Sequence, residues 1–442
     1  MTALVHLRRR LRARSHDRIN TNWIVSELVA LALIVRAHLA SGPRRLASLL
    51  TACRRATTSP LRRHIASQLR PHLEGEAASV WREQKIGWRR YDESFGGLKK
   101  KALTTSLLLK APGPNGEKGV LYSSFEYNWM RLVAHHDARA FFARYYLVGA
   151  SSWSPTDYAA FANLAGLSPD PVFIGISNVA DVEGYKVMRP VIEALPLMAC
   201  DWINPAFYEP KPHASREIDI LMVANWLPFK RHWLLFEALK RMRRDLRVVL
   251  IGRNAPGRTV KELGEEARSF GVRQEIEFLT NVSIDDVTAH QCNARISTLF
   301  SRREGSCVAP AECFFADTPV AMMRDGHVGS KAHINPRTGI LVERAGLARR
   351  LEHFLEESAS YAPREWALQH ITCHQSSARL NEQLRAHALG AGQPWTGDIT
   401  ALCWRYVPSY VDPADEARMA PAVEQLRAEH GVELVKFAGE RG

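Results

Sequence analysis

The chain has 442 residues, enough for two to three domains with a substantial core. Hydrophobic residues make up 46% and charged residues 24%, which is typical of globular proteins and excludes a disordered chain, a collagen and a coiled-coil rod. The net charge of +13 is concentrated in residues 1–70, which hold 14 arginines and two acidic residues, Asp17 and Glu27. We therefore interpret the protein as a nearly neutral body with a cationic N-terminal arm.

The cysteines and the apolar runs bear on the compartment. The seven cysteines are scattered without a Cys-x-x-Cys pair, which predicts reduced thiols in a cytoplasmic protein and no zinc site. No apolar run reaches the roughly 20 residues that a membrane-spanning helix needs. The longest run, residues 28–35, is bounded by charged residues and is followed by no small-residue cleavage site, so we expect neither a membrane span nor a signal peptide.

In chain order, residues 1–98 are predicted to form a helical, arginine-rich extension. Beyond it, short apolar runs alternate with helix-length segments, which predicts parallel βαβ units. The first apolar runs are residues 102–109, 119–125, 145–151, 171–177 and 195–202. A proline-containing linker is predicted at residues 203–215. The alternation then resumes, with runs at residues 218–226, 247–252, 275–280, 294–301, 319–324 and 339–342.

This alternation predicts an α/β fold with two doubly wound, Rossmann-like domains that face a cleft. The expected bounds are 99–205 for the N-terminal domain, 206–392 for the C-terminal domain and 393–442 for a tail that contains a helix. Ligands of such sheets bind at the carboxyl ends of the strands, so we expect the functional site in the cleft.

The most informative segment is residues 301–320, where a buried strand ends, a turn follows and a helix is predicted to begin near Ser306. Ser306 is a candidate N-cap, and the free amide groups of a helix start favour an anion. Glu304 lies in the turn and Glu312 in the helix, at most about 12 Å apart along the helix axis. Such carboxylates can accept hydrogen bonds from the vicinal hydroxyls of a hexose and a ribose. Taken alone, such a pair is better explained as one glutamate in a turn and one on a helix surface.

The segment resembles the Glu-x7-Glu signature of retaining nucleotide-sugar glycosyltransferases of the GT-B type, glycosyltransferase family 4 (group 1). The matching positions are Ser301, Glu304, Gly305, Pro310, Glu312, Thr318, Pro319 and Val320. The resemblance covers residues 217–345 well, extends more weakly over 99–205 and does not reach the first 98 residues. It implies a GT-B fold with the acceptor on the N-terminal domain and a nucleotide diphosphate sugar on the C-terminal domain.

The resemblance also implies roles for individual residues. Lys230 matches a lysine that grips the donor diphosphate, and Lys230 and Glu304 are the predicted catalytic residues. Arg231 is a candidate substitute for an arginine of the family, at whose position Asn225 stands. Two cations at a helix start are unfavourable unless an anion binds there, although a solvated helix start remains the alternative. The other predicted donor-binding residues are Gly305, Ser306, Cys307, Glu312, Gly329 and Ser330.

On the acceptor side, the candidates are Glu126 and Asn128, which directly follow a predicted strand, and His135. The family has a histidine near the donor sugar, which is the reason for considering His135. A solvated or structural histidine in the middle of a helix is the alternative for this residue.

The resemblance implies retaining sugar transfer to a glycan or lipid-linked acceptor, as in polysaccharide biosynthesis, without a metal or a cofactor. Helix amides and basic side chains would stabilise the leaving diphosphate. Two alternatives stay open. One is a sugar-phosphate synthase or nucleotide-sugar epimerase with the same fold. The other is a catalytically degenerate protein that binds a nucleotide sugar or acts as a scaffold, which Asn225 and the incomplete glycine-rich turn at Gly329 would fit.

The cationic arm, residues 1–70, has three interpretations. The first is peripheral binding to an anionic membrane on its cytoplasmic face, through apolar side chains on one helix side and arginines on the other. The apolar side chains are Trp23, Ile24, Leu28, Leu31 and Val35. The second is nucleic-acid binding, which the neutral body and the lack of a nucleic-acid fold signature disfavour. The third is a helical cap or extension whose arginines reflect a bias in residue usage.

Overall fold

The computed structural model describes residues 22–92, 97–255 and 257–435. Within these residues the chain divides into two compact units. One unit consists of residues 203–372, and the other combines residues 23–202 with residues 373–435. We call them the C-terminal-sheet unit and the N-terminal-sheet unit.

The helices of the described residues are numbered here in chain order. They are α1 (Trp23–Leu39), α2 (Gly42–Arg55), α3 (Ser59–Leu69), α4 (Val80–Glu83), α5 (Arg89–Asp92), α6 (Glu126–His135), α7 (Ala138–Arg144), α8 (Tyr158–Leu164), α9 (Val182–Tyr185), α10 (His232–Leu239), α11 (Val260–Phe270), α12 (Ile284–Cys292), α13 (Ala309–Phe315), α14 (Leu347–Glu356), α15 (Pro363–His370), α16 (Cys373–Gly390) and α17 (Ala414–His430). None of these helices combines the length and the apolar character needed to cross a bilayer, as far as the described residues go.

The strands of the described residues are numbered in the same way. They are β1 (Leu103–Thr104), β2 (Ser106–Lys110), β3 (Gly119–Ser124), β4 (Tyr145–Ala150), β5 (Val172–Gly175), β6 (Ile192–Leu195), β7 (Ile218–Val223), β8 (Val248–Gly252), β9 (Ile276–Thr280), β10 (Ala294–Leu299), β11 (Val320–Met323), β12 (Gly339–Val342), β13 (Leu402–Arg405), β14 (Val407–Tyr410) and β15 (Leu434–Val435). Most fall within the apolar runs of the sequence. The strand predicted at residues 195–202 is wrong. The strand in this region, β6, ends at Leu195, and Ala199–Asp201 form a 3-10 turn.

The C-terminal-sheet unit is built on six parallel strands in the order β12-β11-β10-β7-β8-β9. Strands β8 and β11 are apolar almost throughout, since helices cover both faces of a parallel sheet. Strands β7, β8 and β9 extend from the middle of the sheet to one edge, and strands β10, β11 and β12 extend from the middle to the other edge. This is the Rossmann order, in which the strand order reverses between β7 and β10. The predicted α/β class is confirmed.

The N-terminal-sheet unit has a simpler sheet, with the order β2-β3-β4-β5-β6. Strands β3 to β6 are parallel, and β2 is an antiparallel edge strand paired with β3. This sheet therefore has no reversal of strand order. The predicted extension, residues 1–98, is helical where the structure describes it. Its helices α1 to α5 belong to the N-terminal-sheet unit.

The last part of the chain returns to the N-terminal-sheet unit. The prediction assigned residues 206–392 to one domain, but α16 packs its Leu380, Leu384 and Ala388 into the core beneath β3 and β4. A buried ion pair joins Lys118 and Asp170, with Nζ 2.7 Å from Oδ2, and the His387 ring lies 3.0 Å from the same carboxylate. The return therefore buries both apolar and charged groups.

Replacing Asp170 with asparagine is expected to lower the free energy of unfolding by about 3–5 kcal/mol, because it leaves the Lys118 ammonium buried without its counter-charge. Chemical unfolding at pH 7 measures the change. The control is Glu183→Gln, which removes the carboxylate of an exposed ion pair with Lys186 in the same unit and should leave the unfolding midpoint unchanged. An equal, small effect of both variants would contradict a stabilising role for the buried pair.

Candidate functional site

Three loops meet at the carboxyl edge of the C-terminal sheet, where β7, β10 and β11 lie near one another. They are residues 224–231, residues 300–308 and residues 324–328. Backbone hydrogen bonds tie the loops together: the amide of Arg302 donates to the Phe229 carbonyl over 2.8 Å, and that of Glu304 to the His327 carbonyl over 2.9 Å. Because the strand order reverses between β7 and β10, this edge is where such a sheet opens a crevice for a ligand.

The two residues predicted to be catalytic form a buried ion pair at this edge. Lys230 Nζ donates to Glu304 Oε2 over 2.6 Å, and each residue is less than 10% exposed. Burial alone would lower the pKa of Lys230, but the Glu304 carboxylate outweighs it and raises the pKa above its usual value. Lys230 therefore stays protonated and carries a positive charge at this edge of the sheet.

The position of Lys230 follows from the loop that carries it. Pro228–Lys230 form a 3-10 turn, and Arg231 then adopts the left-handed conformation with a φ of 54°, which starts α10 at His232. The Arg231 guanidinium contacts the carboxylate of Asp325, with Nη1 at 3.0 and 3.2 Å from its two oxygens. The two predicted cations thus contact different carboxylates, Glu304 and Asp325.

Four of the predicted donor-binding residues lie side by side. The amide of Gly329 donates to the Gly305 carbonyl and the amide of Ser330 to the Ser306 carbonyl, each over 2.8 Å. Ser330 is fully buried, and its hydroxyl has no hydrogen-bond partner among the described residues. Burial, with a further contribution from Glu304, raises the pKa of the Cys307 thiol well above its usual value, so the thiol is neutral.

The predicted helix start at Ser306 is wrong. Helix α13 begins at Ala309, and its N-cap, Val308, makes no side-chain cap. Pro310 at the second helical position suits a helix start there, since its missing amide donor would be unpaired in any case. The Ser306 carbonyl accepts instead from Ser330, which holds the chain in the loop.

Two predicted donor-binding residues lie outside this contact set. Glu312 is buried on α13 and accepts a hydrogen bond from Gln291 Nε2 over 3.1 Å. Asn225 is exposed in the loop after β7, and its side chain makes no hydrogen bond to Lys230 or Glu304 among the described residues. Their assignment to the donor site stays a prediction.

On the acceptor side, Glu126 and Asn128 belong to the first turn of α6 and do not end the strand, because β3 stops at Ser124. The Glu126 carboxylate accepts from the Ser152 amide over 3.1 Å and from its hydroxyl over 2.6 Å, and burial raises its pKa. The Asn128 amide group is occupied by backbone, with Nδ2 donating to the Ser124 carbonyl over 2.7 Å.

His135 was expected in the middle of a helix and is the last residue of α6, where its ring contacts the Leu98 carbonyl. Glu126 lines a cavity of about 330 Å³ in the N-terminal-sheet unit. The other residues that line this cavity are Arg54, Arg90, Tyr91, Phe125, Tyr127, Ser152, Trp153, Pro155 and Asp157.

The sequence-based prediction missed His232, the first residue of α10, which directly follows the two predicted cations. Its ring is fully buried beside Trp226, with 5.4 Å between the ring centroids. Burial, assisted by the charges of Arg258 and Lys230, lowers its pKa to about 3, so the imidazole is neutral at pH 7. The only sequence signal for His232 was its position directly after Lys230 and Arg231, because a lone histidine is usually structural.

Acidification below pH 6.5 is expected to destabilise the C-terminal-sheet unit through His232. The unfolded chain binds a proton near the usual histidine pKa of about 6.5, whereas the folded imidazole does so only at about 3. The stability contribution is therefore intact above pH 6.5 and declines toward pH 3, by at most about 1.4 kcal/mol per pH unit. His232→Gln should flatten the dependence of the unfolding midpoint on pH between 7 and 4. The control is His290→Gln, at a partly exposed histidine of the same unit, and equal slopes in the two variants would contradict the assignment.

The part of the chain that carries these loops matches a known protein family. Residues 217–357, about a third of the chain, match the family model described as glycosyl transferases group 1. The matched segment contains Lys230, Glu304 and all three loops, and the match confirms the predicted resemblance of this part of the chain to group 1 glycosyltransferases. None of the curated proteins matches the chain in sequence.

Among solved structures, the chain is similar to HepE of Anabaena in complex with UDP. The identity is 15%, with 60% of this chain and 78% of that chain covered and a TM-score of 0.48. It is also similar to sucrose-phosphate synthase of Thermosynechococcus elongatus, with 13% identity, 72% and 80% coverage and a TM-score of 0.48.

Proposed function

We propose that this chain, whose residues 217–357 match the family model of the group 1 glycosyltransferases, is a retaining glycosyltransferase that uses a nucleotide diphosphate sugar. The observation that carries the proposal is the buried Lys230–Glu304 pair, with Nζ and Oε2 2.6 Å apart, at the edge where the strand order of the sheet reverses. The cost of removing two charges from water offsets most of their attraction, so a buried ion pair adds little to stability. Its position at the edge where such sheets bind ligands therefore favours a role in binding.

The proposed chemistry divides between the two partners. As the bond between sugar and diphosphate breaks, negative charge develops on the leaving phosphate, and the Lys230 ammonium stabilises it in a site shielded from water. The Glu304 carboxylate accepts hydrogen bonds from hydroxyls of the donor sugar. The buried hydroxyl of Ser330 supplies a further polar contact for the donor. Because Lys230 is a fixed cation, we propose that the transfer needs no metal.

For the acceptor, we propose a glycan or a lipid-linked sugar bound at the cavity around Glu126. The aromatic side chains of Phe125, Tyr127 and Trp153 line it beside a carboxylate, a combination that suits the apolar faces and the hydroxyls of a sugar. A cytoplasmic location is part of the proposal, and it is supported by the seven cysteines, all of which are free. The product would enter polysaccharide biosynthesis.

A panel of UDP-, GDP- and ADP-sugars tests the donor. Thermal unfolding of the full chain should shift upward with one nucleotide class only, by an amount equivalent to about 2.7 kcal/mol at 100 times the dissociation constant. Anomeric analysis of the product by NMR then tests retention. The absence of a shift with every donor would contradict the proposed site.

A catalytically degenerate binding protein is the second candidate. The observation in its favour is that Asn225 is exposed where the family has an arginine, while Arg231 contacts Asp325. A thermal shift with a nucleotide sugar but no release of nucleoside diphosphate in the presence of glycan acceptors would favour it.

Labelled donor converted to a sugar phosphate or to an epimer would instead indicate a synthase or an epimerase.

A further inference from the structure

Helix α1 exposes a continuous apolar face. Ile24, Leu28, Leu31, Val35 and Leu39 follow one another at intervals of three or four residues, which places them on one side of the helix. Their exposed fractions run from 46% to 86%. Of the 13 large hydrophobic residues that are exposed in the described chain, eight lie on this one helix. Such concentration on a single face marks an interaction surface.

The opposite side of α1 explains why this face stays outside. Ser26, Ala30, Ile34 and Ala37 are buried, and α1 packs with them along α2. The helix is therefore anchored by its small and apolar inner residues. Its outer residues are held in place without contributing to the core.

The segment that carries this face is strongly cationic. Residues 22–70 contain eight arginines and one acidic residue, Glu27. The Glu27 carboxylate accepts hydrogen bonds from the backbone amides of Thr57 and Thr58, over 2.7 and 3.2 Å, at the start of α3. Among the described residues, none of the eight arginines forms an ion pair with a carboxylate. Four of them, Arg36, Arg44, Arg63 and Arg70, are exposed, so their charge is available to an external anion.

We propose that α1 lies flat on an anionic lipid bilayer, with this apolar face in the interfacial region and the exposed arginines, Arg36, Arg44, Arg63 and Arg70, on the lipid phosphates. At 17 residues the helix is about 25 Å long, and an apolar face bordered by cations is the arrangement that such interfacial helices use. Arginine contributes through bidentate contacts with phosphate. The inference does not depend on the proposed sugar transfer, since it needs no donor or acceptor.

A second copy of the chain fits this face less well. The spacing from Ile24 to Val35 resembles a coiled-coil seam, but 17 residues make only about two and a half heptads, where a stable seam needs about three to four. A second copy would also bring the same excess of arginines to the interface, whereas an anionic bilayer satisfies the apolar face and the cations together.

Vesicle flotation of the full-length chain tests the proposal. The vesicles are phosphatidylcholine alone, or phosphatidylcholine with one quarter phosphatidylglycerol. Wild-type protein should float with the anionic vesicles, and the triple variant Leu28→Gln, Leu31→Gln, Val35→Gln should lose at least tenfold in partitioning. The triple variant Val179→Gln, Leu368→Gln, Leu389→Gln alters equally exposed apolar residues elsewhere and should float like the wild type.

The charge component has its own variant. Arg36→Gln with Arg44→Gln should weaken flotation on the anionic vesicles by about fivefold per arginine and leave the small partitioning to neutral vesicles unchanged. Thermal unfolding midpoints equal to that of the wild type verify that the variants are folded. Equal flotation of the wild type and the Leu28 triple variant overturns the proposal, as does a dimer that only the wild type forms and that does not float.

Discussion

A Lys230→Met variant is expected to lose sugar transfer by about 10²–10³-fold in kcat, the usual cost of removing one preorganised group that stabilises developing charge. The expectation follows from the protonated state of Lys230, since Glu304 raises its pKa. The measurement is the release of nucleoside diphosphate at saturating donor, using the nucleotide class that the thermal-shift panel identifies. Affinity for the free nucleoside diphosphate should fall as well, because the proposed contact between the lysine and the phosphate is present in both states.

The matched control for this variant is Lys118→Met, which removes a buried lysine from an ion pair of similar length in the other unit. Both variants leave a buried carboxylate without its lysine, so both should lose stability, by up to about 3–5 kcal/mol. The loss should be the smaller one in Lys118→Met, because Asp170 keeps its contacts with His387 and Gln393. Only Lys230→Met should lower turnover per folded molecule. Similar turnover in the two variants would show that the Lys230–Glu304 pair is structural.

The C-terminal sheet was the most predictable part of the fold. Its strands β8 and β11 are apolar on both faces because helices cover both sides, and they appear in the sequence as short uninterrupted apolar runs. The boundary of α13 was predicted three residues early. A serine before an apolar segment is a good N-cap, but Pro310 and the pairing of Ser306 with Ser330 decided otherwise.

The allocation of segments to units was not predictable from local patterns. Helix α16 follows α15 without a composition change, yet it belongs with the N-terminal sheet. The contacts that place it there join residues far apart in the chain, such as His387 with Asp170. Neither periodicity nor turn residues carry information about such pairings.

The sequence predicted which loops form the candidate site, but it did not predict which side chains contact one another there. Strand ends placed Lys230 and Glu304 at one edge of the sheet, and parallel strand order makes that edge common to both. Their direct pairing depends on the left-handed conformation of Arg231 and on the hydrogen bonds between the loops, which no sequence pattern specifies. His232 was given no role for the same reason, since its burial beside Trp226 arises only when the loop after β7 folds.

Combining Lys230→Met with Glu304→Gln is expected to separate the structural contribution of the pair from its chemistry. Each single variant leaves one buried group without its partner, whereas the double variant leaves two neutral side chains of similar shape. The free energies of unfolding should therefore be non-additive, with the double variant more stable than the sum of the single changes by about 0.5–3 kcal/mol.

Turnover should not follow this recovery. The Lys230 ammonium and the Glu304 carboxylate are proposed to contact different parts of the donor, the diphosphate and the sugar, so the double variant lacks both contacts. We expect Glu304→Gln and the double variant to remain at least about 10²-fold below the wild type in kcat. Recovery of turnover together with stability would mean that the pair only holds the loops in place. Recovery of stability alone, measured by chemical unfolding beside steady-state kinetics, is the outcome that a donor site at this edge requires.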